Sequence, residues 1–141
     1  MKSYERAVFW YLKAAEQGEV HAQFNLGLCY QKGSGVLKSY EKAVHWFMKA
    51  AEKGAARAQY SLGVCYEFGD GVSKSYETAV YWYTKAAMQG DADAQFNLGL
   101  CYKDGKGVPK SKEMEKYWIG KSTKQGIEYV KNWFKSLIKH K

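Results

Sequence analysis

Apolar residues along this chain recur with the period of a helix, in two kinds of segment that alternate. In the first kind, Ala22, Leu26, Cys29 and Tyr30 fall at i, i+4, i+7 and i+8, one side of a 3.6-residue helix. In the second, Tyr40, Ala43, Val44, Phe47, Ala50 and Ala51 fall at i, i+3, i+4, i+7, i+10 and i+11, again a single stripe. We call these helix A and helix B. Helix A carries a further stripe roughly opposite the first: Phe24 with Leu28, repeated as Tyr60 with Val64 and Phe96 with Leu100. A helix that is apolar on two sides is expected to be sandwiched, touching its own helix B and the helix B before it.

The two segments are copies in tandem. AQFNLGLCYQKGSGV, AQYSLGVCYEFGDGV and AQFNLGLCYKDGKGV begin at Ala22, Ala58 and Ala94, so Cys29, Cys65 and Cys101 stand 36 residues apart. The helix B segment begins at Ser3, Ser39 and Ser75, with a worn copy, SKEMEKYWIGKSTKQG, from Ser111. Punctuation agrees. Gly33, Gly69 and Gly105 stand where helix A should end, and Ser39, Ser75 and Ser111 where a hydroxyl caps helix B, with Glu41, Glu77 and Glu113 in its first turn. Gly54, Gly90 and Gly126 are expected to stop helix B. Gly27, Gly63 and Gly99, together with the Ala-Ala pairs of helix B, predict close packing of antiparallel helices. An isolated unit cannot bury both faces of helix A, so stability should come from interfaces between units.

The pattern A-x-x-x-L-G-x-x-Y-x-x-G-x-G-V followed by A-V-x-W-x-x-K-A-A-x-x-G resembles the Sel-1-like repeat, a relative of the tetratricopeptide repeat. It covers about residues 3 to 126; Ala22, Leu26, Gly27, Tyr30, Gly33, Gly35, Val36, Ala43, Trp46, Ala50, Ala51 and Gly54 hold the motif positions in the first full unit. The resemblance implies an all-α fold, a right-handed α/α superhelix of antiparallel helix pairs. It also implies adaptor or scaffold roles in protein complexes, and no cofactor.

One domain is expected over residues 1–141. Residues 1–18 are the helix B of a partial first unit, 19–54, 55–90 and 91–126 are full units with the last degenerate, and 127–141 form a C-terminal capping helix. The first helix B has no helix A before it; either the chain is a fragment of a longer array or the open flank is a contact surface. At the other end, Glu115 and Lys116 replace Ala-Val and Ser122-Thr123 replace Ala-Ala, as suits a unit whose outer face meets water. The tail places Ile127, Val130, Trp133, Phe134, Leu137 and Ile138 on one stripe, with Lys131, Lys135 and Lys139 off it.

Composition narrows the function further. With 46% hydrophobic residues and no apolar run long enough to span a bilayer, the expectation is a cytoplasmic protein without a transmembrane segment. The three cysteines occupy one core position in three stacked units, too far apart for the Cα limit of roughly 7 Å, and C-x-x-C is absent. They read as buried thiols. The resemblance extends to secreted relatives with paired cysteines in each unit, and the second cysteine is missing here, which weakens an extracellular assignment. His21 and His45 align with unlike residues and have no Ser or Cys nucleophile nearby, and the GSGV, GDGV and GKGV turns lack a strand before them and a GK[ST] ending. No enzyme is expected.

Charge is uneven. The chain carries a formal +8, but residues 1 to 102 hold 11 Lys and Arg against 10 Asp and Glu, whereas residues 103 to 141 hold 11 Lys against 4 acids. Either this cap is a solvated face that prevents end-to-end stacking, or it makes electrostatic contact with an acidic protein, anionic lipid or nucleic acid. The alternative function is therefore a basic C-terminal cap that binds an anionic membrane peripherally or nucleic acid; arginine occurs only as Arg6 and Arg57, which disfavours nucleic acid. A protein partner is expected to meet the residues that vary between units. These form a strip off both apolar stripes, from His21, Asn25 and Lys32 through Arg57, Ser61 and Phe68 to Asp93, Asn97 and Asp104, a gradient from basic to acidic. Drift on a solvated face would leave the same pattern.

Overall fold

The computed structural model describes residues 2–139. Among these residues seven helices follow one another: α1 (Ser3–Glu16), α2 (Val20–Lys32), α3 (Tyr40–Glu52), α4 (Ala56–Phe68), α5 (Tyr76–Met88), α6 (Ala92–Asp104) and α7 (Lys112–Lys139). The even-numbered helices are copies of helix A and the odd-numbered ones of helix B. Their ends are where the capping residues put them. Oγ of Ser39, Ser75 and Ser111 accepts from the backbone N–H of Lys42, Thr78 and Met114 at 3.2, 3.1 and 3.2 Å. Gly33, Gly69 and Gly105 close α2, α4 and α6 at φ of 73°, 71° and 70°, a left-handed conformation that a Cβ disfavours.

Each helix packs on its neighbours in sequence, giving an all-α solenoid of antiparallel pairs. The first stripe of helix A meets the preceding helix B. Ala22 and Leu26 pack with Val8 and Ala15; Ala58, Leu62 and Cys65 with Ala43, Phe47 and Ala51; Ala94, Leu98 and Cys101 with Val80, Tyr83 and Ala87. The second stripe meets its own helix B, with Phe24 and Phe47 rings 5.9 Å apart and those of Tyr60 and Tyr83 6.0 Å apart. That approach depends on Gly27, Gly63 and Gly99: a Cβ there would stand about 2.6, 2.6 and 2.5 Å from Phe47, Tyr83 and Ile119. Similarly, the second glycine of each turn sits on the first turn of the helix B before it. A Cβ on Gly35, Gly71 or Gly107 would collide with the backbone of Tyr4, Tyr40 or Tyr76.

A buried glutamine ties each helix A to the end of the preceding helix B. Nε2 of Gln23, Gln59 and Gln95 donates to the carbonyls of Ala15, Ala51 and Ala87, each at 3.1 Å, and each glutamine is 3% exposed. These carbonyls lie in the last turn and already accept from the backbone N–H of Gly18, Gly54 and Gly90 at 3.0 Å, so the glutamine takes the second lone pair of each and fixes the hairpin across the turn.

The expected break at Gly126 does not occur: α7 runs unbroken for 28 residues, and the capping helix is its second half rather than a separate element. The reason lies in what the fourth copy lacks. Lys131 stands where the glutamine would be and Ile127 where Asp91 caps α6. The face of α7 that a following helix would cover carries Lys112, Lys116, Gly120 and Thr123, all exposed, in place of Tyr76, Val80, Thr84 and Ala87. With no hook and no apolar seat, a cost of about 1 kcal/mol for glycine inside a helix is too small to end it.

Candidate functional site

The helix A copies are brought side by side by the 36-residue register, and two clefts open between elements on that side. The first, about 230 Å3, lies between α4 and α6 and is lined by Glu67, Phe68, Asn97, Leu100, Asp104 and Lys106 together with Cys101. Phe68 is 65% exposed at its edge. At its base, Tyr83 donates its hydroxyl to Oε1 of Glu67 at 2.7 Å, and burial together with this carboxylate pushes the phenol well above its ordinary range. The second, about 260 Å3 and mostly apolar, lies between α1 and α2 and includes Tyr4, Ala7, Tyr11, Asn25, Leu28 and Lys32.

The residues singled out from sequence variation distribute over these features. Phe68, Asn97 and Asp104 come together in the α4/α6 cleft, and Asn25 and Lys32 in the α1/α2 cleft. Arg57 and Asp93 meet each other: Nη1 of Arg57 lies 3.0 Å from Oδ2 of Asp93 and 3.0 Å from Oδ2 of Asp91, and the guanidinium lies over the Tyr60 ring at 4.7 Å. The basic-to-acidic gradient is therefore partly closed by its own members. His21 is exposed at the start of α2 and lines neither cleft. Ser61 is buried, at 8% exposure, and does not belong to an exposed strip. Among α2, α4 and α6 it lies on the central helix, which has a sister on each side, whereas Asn25 and Asn97 lie on the flanking two.

Glu67 and Tyr83 escaped the sequence reading. A signal was present: Glu67 aligns with Gln31 and Lys103, and Tyr83 with Phe47 and Ile119, so this hydrogen bond exists at one interface only. The glutamines were missed because a polar residue beside a core alanine reads as surface. The cysteines are free thiols. Cys65 and Cys101 are buried, and burial, aided by Asp70 and Glu67 respectively, pushes both up to about 11. Cys29 is half-buried at the α1/α2 cleft, with burial pushing its thiol up and Lys32 opposing. Among the described residues, no group of three or more His, Cys, Asp and Glu is placed to hold a metal ion, and no helix is long and apolar enough to cross a membrane.

The Sel1 repeat family matches the chain at residues 1–19, 20–54, 56–91 and 92–127. Solved structures agree. c5321, a protective antigen of uropathogenic Escherichia coli strains displaying an SLR fold, is 40% identical with a TM-score of 0.87, over 89% of this chain and 27% of that one. A Sel1 repeat protein from Oxalobacter formigenes is 39% identical with a TM-score of 0.83, over 89% and 51%. Cysteine rich protein B of Helicobacter pylori is 29% identical with a TM-score of 0.69, over 89% and 90%. The chain thus spans about a quarter of the first of these and about half of the second. No curated protein matches it. Repeats matched from end to end of the array, with the same solenoid in solved relatives, make the chain a member of the Sel1 repeat family.

Proposed function

We propose that the chain is a protein-interaction scaffold that seats a partner segment along the side formed by α2, α4 and α6, with the α4/α6 cleft as its main anchor. The observation that carries this reading is the setting of Phe68. A phenylalanine left 65% exposed beside Glu67, Asn97 and Asp104 offers an apolar contact framed by two carboxylates and an amide, with Lys106 the one cation in the lining. The segment that complements it carries an apolar side chain and a cation, oriented by the carboxylates and held by desolvation against the ring. Asn25 and Lys32, in the α1/α2 cleft, would meet a more distant part of the same segment. Burial of Cys65 and Cys101, which pushes their thiols up, and an exposed His21 that lines neither cleft support a role without covalent chemistry.

The test compares proteins captured from the source cell by the native chain and by the variant Phe68→Ala with Asp104→Lys. One or more partners should be lost with the variant while its helical melting curve is unchanged. Identical captures at matched folding would overturn the assignment of the cleft.

A further inference from the structure

The second half of α7 has a helix-A pattern and no place on the array to put it. Ser122 Oγ donates to the Ala92 carbonyl at 2.9 Å and Gln125 Nε2 to Gln95 Oε1 at 2.7 Å, tying the first half to the last unit. Beyond them, Ile127, Phe134, Leu137 and Ile138 are 51%, 57%, 47% and 56% exposed. Spaced at i, i+7, i+10 and i+11, they share one face of a helix about 20 Å long. In the 36-residue register, Phe134, Leu137 and Ile138 stand where Leu98, Cys101 and Tyr102 stand in α6, so the stripe persists without its seat. Lys131, Lys135 and Lys139, at i, i+4 and i+8, run exposed along one flank, where Glu128 is the one acidic side chain among them.

Charge decides what covers this face. The exposed outer face of α7 presents Lys112 and Lys116, and the open α1/α2 cleft presents Lys32, so a second copy seated by either of these end surfaces would set cation against cation. Nucleic acid would satisfy the lysines but leave four large apolar side chains in water, and residues 103–141 contain no arginine to read a base edge. An apolar stripe flanked by lysines on a helix of low overall hydrophobicity matches a bilayer surface with negative headgroups. We propose that residues 127–139 form an interfacial helix that lies on an anionic lipid bilayer, with the stripe at the acyl boundary and the lysines among the headgroups. This is independent of the partner cleft between α4 and α6.

Co-sedimentation of the full chain with phosphatidylcholine vesicles containing about 30% phosphatidylserine, against phosphatidylcholine alone, tests it. The chain should pellet with the anionic vesicles only. Binding should weaken on the order of tenfold for Lys131→Glu with Lys135→Glu, and by a similar factor for Phe134→Ser with Leu137→Ser. Melting of the array should be unaltered in both variants, since these positions are exposed. Failure to pellet with phosphatidylserine vesicles would overturn the proposal, as would binding that survives loss of the stripe. So would a duplex DNA bound more tightly than the vesicles, or a dimer in light scattering that the stripe variant converts to monomer.

Discussion

Lys53 extends its Nζ to the carbonyl of Gly18, 2.6 Å away, and leaves Oε1 of Gln23 buried without a partner. One unit later, Gln89 occupies the place of Lys53. Its Nε2 donates both to the Gly54 carbonyl and to Oε1 of Gln59, each at 2.9 Å, and Gln125 donates to Gln95 at 2.7 Å. The ladder that ties unit to unit is complete at two rungs and broken at one. A buried acceptor without a donor carries a desolvation penalty of about 1–3 kcal/mol.

Replacing Lys53 with glutamine should close that rung. The expected outcome for Lys53→Gln is a gain of about 1 kcal/mol, seen as a Tm rise of roughly 2–4 °C for a chain of this length. An unchanged or lowered Tm would show that Gln23 is satisfied by other means.

Two glycines inside helices should respond to alanine with opposite signs. At Gly63 a new Cβ would meet the Tyr83 ring at about 2.6 Å, so overpacking of about 1–3 kcal/mol outweighs the helix-propensity gain of about 1 kcal/mol. Nothing lies within 4 Å of the corresponding point on Gly120, where only the propensity gain remains. Denaturant midpoints should therefore fall for Gly63→Ala and rise for Gly120→Ala.

This contrast shows how much of the fold could be read in advance. Stripes such as Ala22 with Leu26 and Phe24 with Leu28, copied at 36 residues, define helices and their partners because burial imposes the 3.6-residue period on sequence. Caps such as Ser39 and Gly33 are equally legible, since their role is local. Gln23, Gln59 and Gln95 are not: their partner lies eight residues back across a turn, and polarity alone suggests solvent. Gly126 misled for the same reason, because glycine ends the earlier hairpins only where glutamine and an apolar seat reward the turn. In the candidate site, variation marked Phe68, Asn97 and Asp104, but the burial of Ser61 and the Arg57–Asp93 pairing depend on neighbours that no single helix reveals.

Asp91 and Asp93 both meet Arg57, yet their removal should differ. Asp91 has 5% of its side chain exposed and also accepts from the Ala94 N–H at 2.9 Å as the cap of α6, whereas Asp93 is 65% exposed. Asp91→Ala should destabilise by about 1–2 kcal/mol through the lost cap. Asp93→Ala should lose no more than about 0.5 kcal/mol, as for an exposed ion pair. Equal losses in urea unfolding would refute the cap as the larger contribution.

The thiols carry a pH signature. Cys65 and Cys101 sit at about 11 in the fold against an ordinary 9.0, so the unfolded chain releases these protons first as pH rises. Unfolding then becomes more favourable from about pH 9 to about pH 11, and stability should decline across that window while remaining flat below it with respect to these groups. Cys65→Ala with Cys101→Ala should flatten the decline. At pH 8, a thiol reagent should label half-buried Cys29 well before the other two, which should react only on unfolding.

The most direct test of a partner seat between α4 and α6 is site-specific photo-crosslinking in the source cell, with the probe at Phe68 and, as a control, at Tyr81 on α5, which is 52% exposed. The account predicts a discrete protein adduct from position 68 that disappears with Asp104→Lys and is absent from position 81. Equal adducts from both positions, or an adduct at 68 indifferent to Asp104, would contradict it.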